Sequence, residues 1–425
     1  MVYTLYIRVG FVLCINGLQM KFDLIVFGGG AAGFFGAIQV ATIKPGLKIL
    51  ILEKSSKLLT KVRISGGGRC NVTHQSFNPF ELARHYPRGE KALKSLFKLY
   101  HAKHVVEWFS ERGIKLKAET DGRMFPVTDS SQTIIDCFMR EASRLKIQIE
   151  AGVGVSMLKE ENHIFEIATQ HGKKFEAKKV LIAVGGNANP QAYLWITDLG
   201  HTVVKPIPSL FTFNDNDKHF DDLMGISVPD AEVRIVGTKF SQRGPVLITH
   251  WGLSGPAVIK LSAWAADHLY QTNYQFNILL SWIGPAKEEE HRVQMLQHKQ
   301  TKGRQKIVTN PMFSLPQRLW QRLCELAEIE ETKVWGELPQ RNLNKLIEYI
   351  IRCPFQIKGK TTFKEEFVTC GGVDLTEINL ETMESKLRNN LYFAGEVLNI
   401  DGETGGFNFQ AAWTTATIAA KSIAR

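Results

Sequence analysis

The sequence predicts an α/β fold in which one parallel-sheet domain is made from both ends of the chain and is interrupted by an insert. Three observations carry that expectation. An apolar strand, a glycine-rich turn and a helix follow one another over residues 22–43, and a second apolar strand comes at 47–52. From about residue 206 the pattern changes to short alternating strands separated by turns, and helices follow to about 355. Strand-type pattern returns at 391–394, ahead of a long helix at about 408–423.

Each element has a local reason. Residues 22–27 (FDLIVF) form a continuous apolar run ending in Gly28, as a strand buried on both faces requires. Residues 31–43 are helix-forming and apolar, and Lys44-Pro45-Gly46 stops them. With 47–52 (LKILIL) this makes a β-α-β unit. Residues 89–112 read as helical with a break near Tyr100, and 129–146 as a helix capped by Asp129 or Ser130. A short strand at 147–150 precedes a meander at 155–159, 164–169 and 173–177, and 179–184 (KVLIAV) is a further buried strand before Gly185-Gly186. In the insert, 232–236 and 246–249 are strands of a small β-barrel or sandwich, and 288–301, 315–327 and 340–351 are helices. The expected division is 1–20 as an N-terminal extension, 21–205 and 356–425 as the two segments of the main domain, and 206–355 as the insert, strand-rich to about 284 and helical from 285.

With 425 residues, 44% hydrophobic and 22% charged, the chain has ample material for a large core, which excludes a disordered protein. Lysine and arginine outnumber aspartate and glutamate 52 to 42, a net charge of +10 that attracts polyanions, whether nucleic acid or an anionic dinucleotide. The six cysteines (14, 70, 137, 324, 353 and 370) form no C-x-x-C pair and no cluster with histidines. No metal site or disulfide framework is therefore expected, and scattered thiols fit a reducing cytoplasm. Residues 5–18 are moderately apolar but interrupted by Arg8, too short to span a membrane and without a small-residue cleavage site. Translation is expected to begin at Met20, leaving 1–19 as an upstream extension.

Three glycine motifs carry the chemistry. Gly28-Gly29-Gly30-Ala31-Ala32-Gly33 is a complete G-x-G-x-x-G between strand and helix, with Glu53 at the end of the second strand. In this Rossmann-like arrangement Gly28 makes the tight turn, Gly30 admits a pyrophosphate, and Gly33 lets helix and strand close up. The helix N-terminus offers amides and partial positive charge, and Glu53 suits ribose hydroxyls and repels a 2′-phosphate. The second motif, Ile64-Ser65-Gly66-Gly67-Gly68-Arg69-Cys70-Asn71, follows Lys61 and Arg63. It suits backbone wrapped against an anionic, planar ligand, with Cys70 in a packing or flavin-contact role. The third, Ala394-Gly395-Glu396 and Asp401-Gly402-Glu403-Thr404-Gly405-Gly406-Phe407-Asn408, opens the last helix. Its amides suit an electron-rich ligand edge, which for a flavin would be the edge that becomes anionic on reduction.

In this order the motifs resemble those of the BaiN/RdsA-type (YhiN-like) family of NAD(P)/FAD-dependent oxidoreductases, also described as aminoacetone oxidase family FAD-binding enzymes. The resemblance is carried by GGGAAG at 28–33, SGGGRCN at 65–71, THWGLSGP at 249–256, VTCGGV at 368–373, TMESK at 382–386 and AGEVLNIDGETGGFNFQAAW at 394–413. It implies one non-covalent FAD and an insert with a β-barrel part and a helical part. Matched motif by motif, it places FAD contacts at Gly28, Gly30, Ala32, Gly33, Glu53, Lys54, Lys61, Ser65, Gly66, Gly67 and Asn71. Further contacts fall at Ala183, Gly185, Gly395, Glu396, Gly405, Gly406, Phe407 and Asn408, with the Val155 backbone at the adenine. Two departures stand out: the segment after Gly186 is short (187–193, NANPQAY), and Asn399 replaces the family's usual aspartate.

His250 and Trp251 in the insert are expected to line the substrate side of the flavin, where a histidine moves a proton near neutral pH; a packed structural histidine is the alternative. Arg84, Arg88, Lys91, Lys94 and Lys98 recur at three and four and make one helical stripe if that stretch is continuous, and Lys299, Lys302, Arg304 and Lys306 lie on a polar connection. Such patches suit RNA phosphates. The resemblance implies NAD(P)H-linked reduction of an activated C=C bond, in a steroid enone or a ribosomal RNA uridine, or oxidation of a small amine. A flavin-binding protein without catalysis is a third class. No second dinucleotide fingerprint is present, so NAD(P)H is expected to visit the flavin transiently.

Overall fold

A computed structural model describes residues 20–216, 219–285, 287–361 and 368–425. The expected extension at 1–19 lies outside the described residues. The main sheet runs Leu391–Phe393, Lys174–Ile182, Met20–Phe27, Ile49–Glu53, Gln148–Ala151, each parallel to its neighbour. Leu24, Ile25, Val26 and Phe27 are all buried, so the central strand is covered on both faces.

Helices Ala31–Ile43 and Phe407–Ile423 pack on each other and on this sheet. The last helix carries threonines in buried positions without orphaned hydroxyls: Thr414, Thr415 and Thr417 donate to the carbonyls of Gln410, Ala411 and Trp413 at 2.7–2.8 Å. The expected break near Tyr100 separates Glu90–Leu99 from Ala102–Ser110, and Ser130 caps Ser131–Arg144. One expectation is corrected here. The third meander strand and the buried strand after it are one strand, Lys174–Ile182. Lys178 falls between the two expected strands, but it turns to Asp23 at 2.9 Å, and Lys179 beside it donates to the Ile423 carbonyl at 2.7 Å.

The insert is a closed six-stranded barrel: Thr212–Asp215, Gly252–Ser254, Ser241–Thr249, Ser227–Ile235, Gln275–Ser281 and Cys353–Thr361. The helices Glu288–Thr301, Gln317–Leu326 and Gln340–Ile351 pack beside it. A boundary at 355/356 therefore falls inside the strand that closes the barrel. Its inward residues Cys353, Phe355 and Ile357 alternate with exposed ones, but Pro354 and two lysines hide that alternation in the sequence. The helix Pro256–Trp264 is capped by Gly255 with Pro256 at its first position.

Two strands connect the parts, Val203–Ser209 outward and Val368–Val373 back, paired antiparallel. Arg88 holds this neck: it pairs with buried Asp401, approaches the Ser209 hydroxyl, and donates to the Ala263 carbonyl at 2.7 Å. Among the described residues no helix is long and apolar enough to cross a membrane.

Candidate active-site cleft

A cleft of about 720 Å³ opens at the C-terminal ends of the three central strands, where connections diverge to either side of the sheet. All three glycine motifs line it although the third lies more than 300 residues from the other two in the chain. The motifs meet by backbone contact. A Cβ on Gly28 would stand 2.3 Å from the Ala183 carbonyl, one on Gly395 2.8 Å from the Ala32 side chain, and one on Gly406 2.5 Å from the Thr73 carbonyl. With its amide oriented by its neighbours, Asn71 accepts from the Gly406 N–H at 3.0 Å and donates to the Thr73 carbonyl at 3.1 Å, joining second motif to third.

Gly30 differs. It lies at the N-terminus of the Ala31–Ile43 helix and lines the cleft, yet nothing stands within 4 Å of where its Cβ would be. No protein packing requires glycine there; a ligand that lies close against the backbone does. Gly33 has the opposite reason, since its Cβ would be 1.9 Å from the Gly28 carbonyl. These observations, with the open amides of a helix N-terminus, fit the diphosphate of a dinucleotide.

The charged groups are held in place. Glu53 accepts from the N–H groups of Gly29 at 2.7 Å and Ser55 at 2.8 Å, which fixes its carboxylate beside the turn. The Thr60–Gly68 helix is broken at Ser65–Gly67, with Gly66 and Gly67 left-handed, and this turns backbone toward the cleft. Lys61 reaches Glu396 at 2.6 Å, whose other oxygen accepts from the Thr369 N–H at 2.9 Å. Arg69 lies over the Phe125 ring at 4.0 Å and pairs with Glu119 at 2.6 Å; Arg123 meets the same glutamate at 2.8 Å. Cys70 is buried, and burial pushes its thiol up to about 12, so it packs and is no nucleophile. Burial disfavours ionisation of Glu403, but hydrogen bonds from His85 and Trp264 and the Lys260 charge outweigh it and hold the carboxyl below its usual range.

Of the residues the sequence singled out, Gly28, Gly30, Ala32, Glu53, Lys61, Ser65, Gly66, Gly67, Asn71, Ala183, Gly185, Gly395, Glu396, Gly405, Gly406 and Asn408 line the cleft. Gly33 and Phe407 are buried behind it, Lys54 points to solvent, and Val155 lies half-buried in a hairpin. His250 and Trp251 are not brought to the cleft. They occupy the turn between Ser241–Thr249 and Gly252–Ser254, with His250 exposed and the Trp251 carbonyl accepting from Asp215. Sequence reasoning missed Ser55, Lys57, Arg123, Leu210, Val368 and Phe409 as lining residues, and gave no role to Glu403 inside a motif it quoted. Arg123 begins the short strand Arg123–Pro126 and carries no local signal of a site.

The single basic stripe is also corrected. Arg84 follows a separate short helix, Pro79–Ala83, and Arg88 is committed to Asp401, leaving Lys91, Lys94 and Lys98 on Glu90–Leu99. Of the second set, Lys299 donates to the Leu338 carbonyl, while Lys302, Arg304 and Lys306 are exposed. Asn399 lies outside the cleft, its N–H bonded to the Val373 carbonyl at 3.0 Å.

A Rossmann-type sheet, a cleft at its switch point and a barrel insert define a class, the FAD-binding oxidoreductases, and the comparisons agree. The sequence profile of the HI0933-like protein Rossmann domain matches residues 22–422, so the chain belongs to that family. It is 29% identical to the ribosomal RNA dihydrouridine synthase of Haemophilus influenzae over 412 residues, covering 94% of this chain and 98% of that one. It is 26% identical to the 3-dehydro-bile acid delta(4,6)-reductase of Clostridium scindens over 410 residues, with the same coverage. Among solved structures, the 3-ketosteroid-delta4-(5alpha)-dehydrogenase of Rhodococcus jostii RHA1 shares the fold, with a TM-score of 0.54 at 13% identity over 97% of this chain and 99% of that one.

Proposed function

We propose that the cleft holds FAD and that the chain uses NAD(P)H to reduce an activated C=C bond, with a uridine of ribosomal RNA as the leading acceptor. The observation that carries this reading is the meeting of the three glycine motifs on one cleft, with Gly30 open to a ligand. The diphosphate would lie on the amides at Gly30 and Ala31, the ribose by Glu53, and the isoalloxazine against Ser65–Gly67 and the Gly405–Gly406 turn. When bound and reduced, FAD supplies a hydride.

The choice of acceptor leans on the names of the relatives and on the net charge of +10, which favours a polyanionic substrate. A small enone acceptor is the second reading, favoured by the bile acid reductase relative. The purified protein should be yellow, and its absorbance near 450 nm should bleach on anaerobic titration with NADPH or NADH. Deletion of the gene should remove dihydrouridine from ribosomal RNA, read by mass spectrometry of nuclease digests. Unchanged rRNA together with steroid enone reduction would select the second reading.

A further inference from the structure

Saturating an activated C=C bond takes a hydride and a proton, and the proton must come from a group facing the acceptor. His250 does not reach the cleft. Among the titratable groups of the described residues that do, Glu53 and Lys57 lie toward Ser55, Lys61 and Glu396 are paired, and Arg69 and Arg123 hold no labile proton near neutral pH. Glu403 remains. It sits in the turn that carries Gly405 and Gly406, and its side chain is 8% exposed. One oxygen accepts from the Trp264 indole at 2.6 Å; the other faces His85 Nδ1 at 3.2 Å and Lys260 at 3.5 Å.

We infer that Glu403 and His85 form a proton relay from solvent into the cleft, with Glu403 as the acid that protonates the acceptor and His85 as the residue that positions and recharges it. The inference rests on the reductase reading above. His85 is 35% exposed and so meets water, while Glu403 meets the cleft. The pair is held rigid. The Glu403 N–H donates to the His85 carbonyl at 2.9 Å, and the His85 ring stacks on Phe407 at 4.2 Å. The other groups facing the pair are Lys260 and Trp264 from the Pro256–Trp264 helix, and His74, which stacks on the same Phe407 ring at 4.7 Å.

The step balances. Hydride adds to the β-carbon, the π bond breaks, and its electron pair moves onto the conjugated carbonyl oxygen. The Glu403 carboxyl then gives its proton to the α-carbon, the C=O bond re-forms, and Glu403 is left ionised. The His85 imidazolium returns a proton to Glu403 and takes one from water. At rest the hydrogen-bond donors and the Lys260 charge around Glu403 favour its ionised form.

The test uses FAD-loaded full-length protein, reduced anaerobically with light and mixed with 4-androstene-3,17-dione or a ribosomal RNA transcript. E403Q should slow acceptor-dependent reoxidation by about 100-fold or more with its flavin spectrum unchanged, and E403D should recover part of the rate. H85Q should keep its rate at acid pH and lose it above neutrality. Independently of any acceptor, nitrogen NMR of labelled histidines should show the His85 midpoint falling in E403Q, because the anion that favours imidazolium is gone. Reoxidation of E403Q within about threefold of wild type, or an unchanged His85 midpoint, overturns the relay. A protein that takes up no FAD, or reduces neither acceptor, overturns the reductase reading instead, and the NMR midpoints then decide whether the pair shares a proton.

Discussion

At the scale of single residues, the glycines divide by what surrounds them, and the division is testable. Gly30 faces open space in the cleft, whereas Gly33 is closed against the Gly28 carbonyl. Gly30→Val should therefore fold with a near-normal melting temperature but bind FAD at least about tenfold more weakly, since the branched side chain fills the ligand's place. Gly33→Val forces helix and strand apart and should cost at least about 1–3 kcal/mol of stability, read as a large drop in melting temperature. Equal destabilisation by both would refute the assignment of Gly30 to a ligand. The sequence pattern alone names both positions as members of one fingerprint; only the packing tells them apart. Cys70 makes the same point, since its place between Arg69 and Asn71 suits either packing or a flavin contact, and its complete burial accounts for packing.

At the scale of elements, apolar runs and stop signals sufficed where the element's own residues decide its form. The Ala31–Ile43 helix follows from its apolar run and the stop after it, and the Gln340–Ile351 helix from its periodicity. They failed where a partner decides it. Lys178 looks like a gap between strands until Asp23 is in place, and the basic stripe dissolves once Asp401 takes Arg88. Asn71 is the corresponding case within the site, because it serves a glycine turn 335 residues away. Asn71→Ala should leave the Gly406 N–H without its acceptor at a cost of about 1–3 kcal/mol. It should also weaken FAD binding, because the turn proposed to hold the isoalloxazine loses its tie to the second motif. Calorimetry and flavin fluorescence on one preparation would show the two effects together; loss of stability with FAD affinity unchanged would mean that the tie does not shape the site.

At the scale of the whole molecule, the insert must be held against the main domain, because Trp264 and Lys260 reach Glu403 from the insert's Pro256–Trp264 helix. The neck Val203–Ser209 and Val368–Val373 is only two strands wide, so side chains supply the orientation. Arg88 does this at one point, touching Asp401 of the main domain, Ser209 of the neck and Ala263 of the insert helix. The alternation of short strands announced the insert, and the motif order announced the shared cleft, but a clamp between distant segments leaves no local pattern to read. Arg88→Ala strips the counter-charge from a carboxylate whose side chain is fully buried, which typically costs about 3–5 kcal/mol. Arg88→Met with Asp401→Leu replaces both charges and should recover most of that stability, since no unpaired charge stays buried. The double variant still lacks the three-way hydrogen bonding, so limited proteolysis should cut it at the neck faster than wild type at equal melting temperature. If the double variant resists protease as wild type does, the strand pair alone orients the insert and Arg88 merely neutralises Asp401.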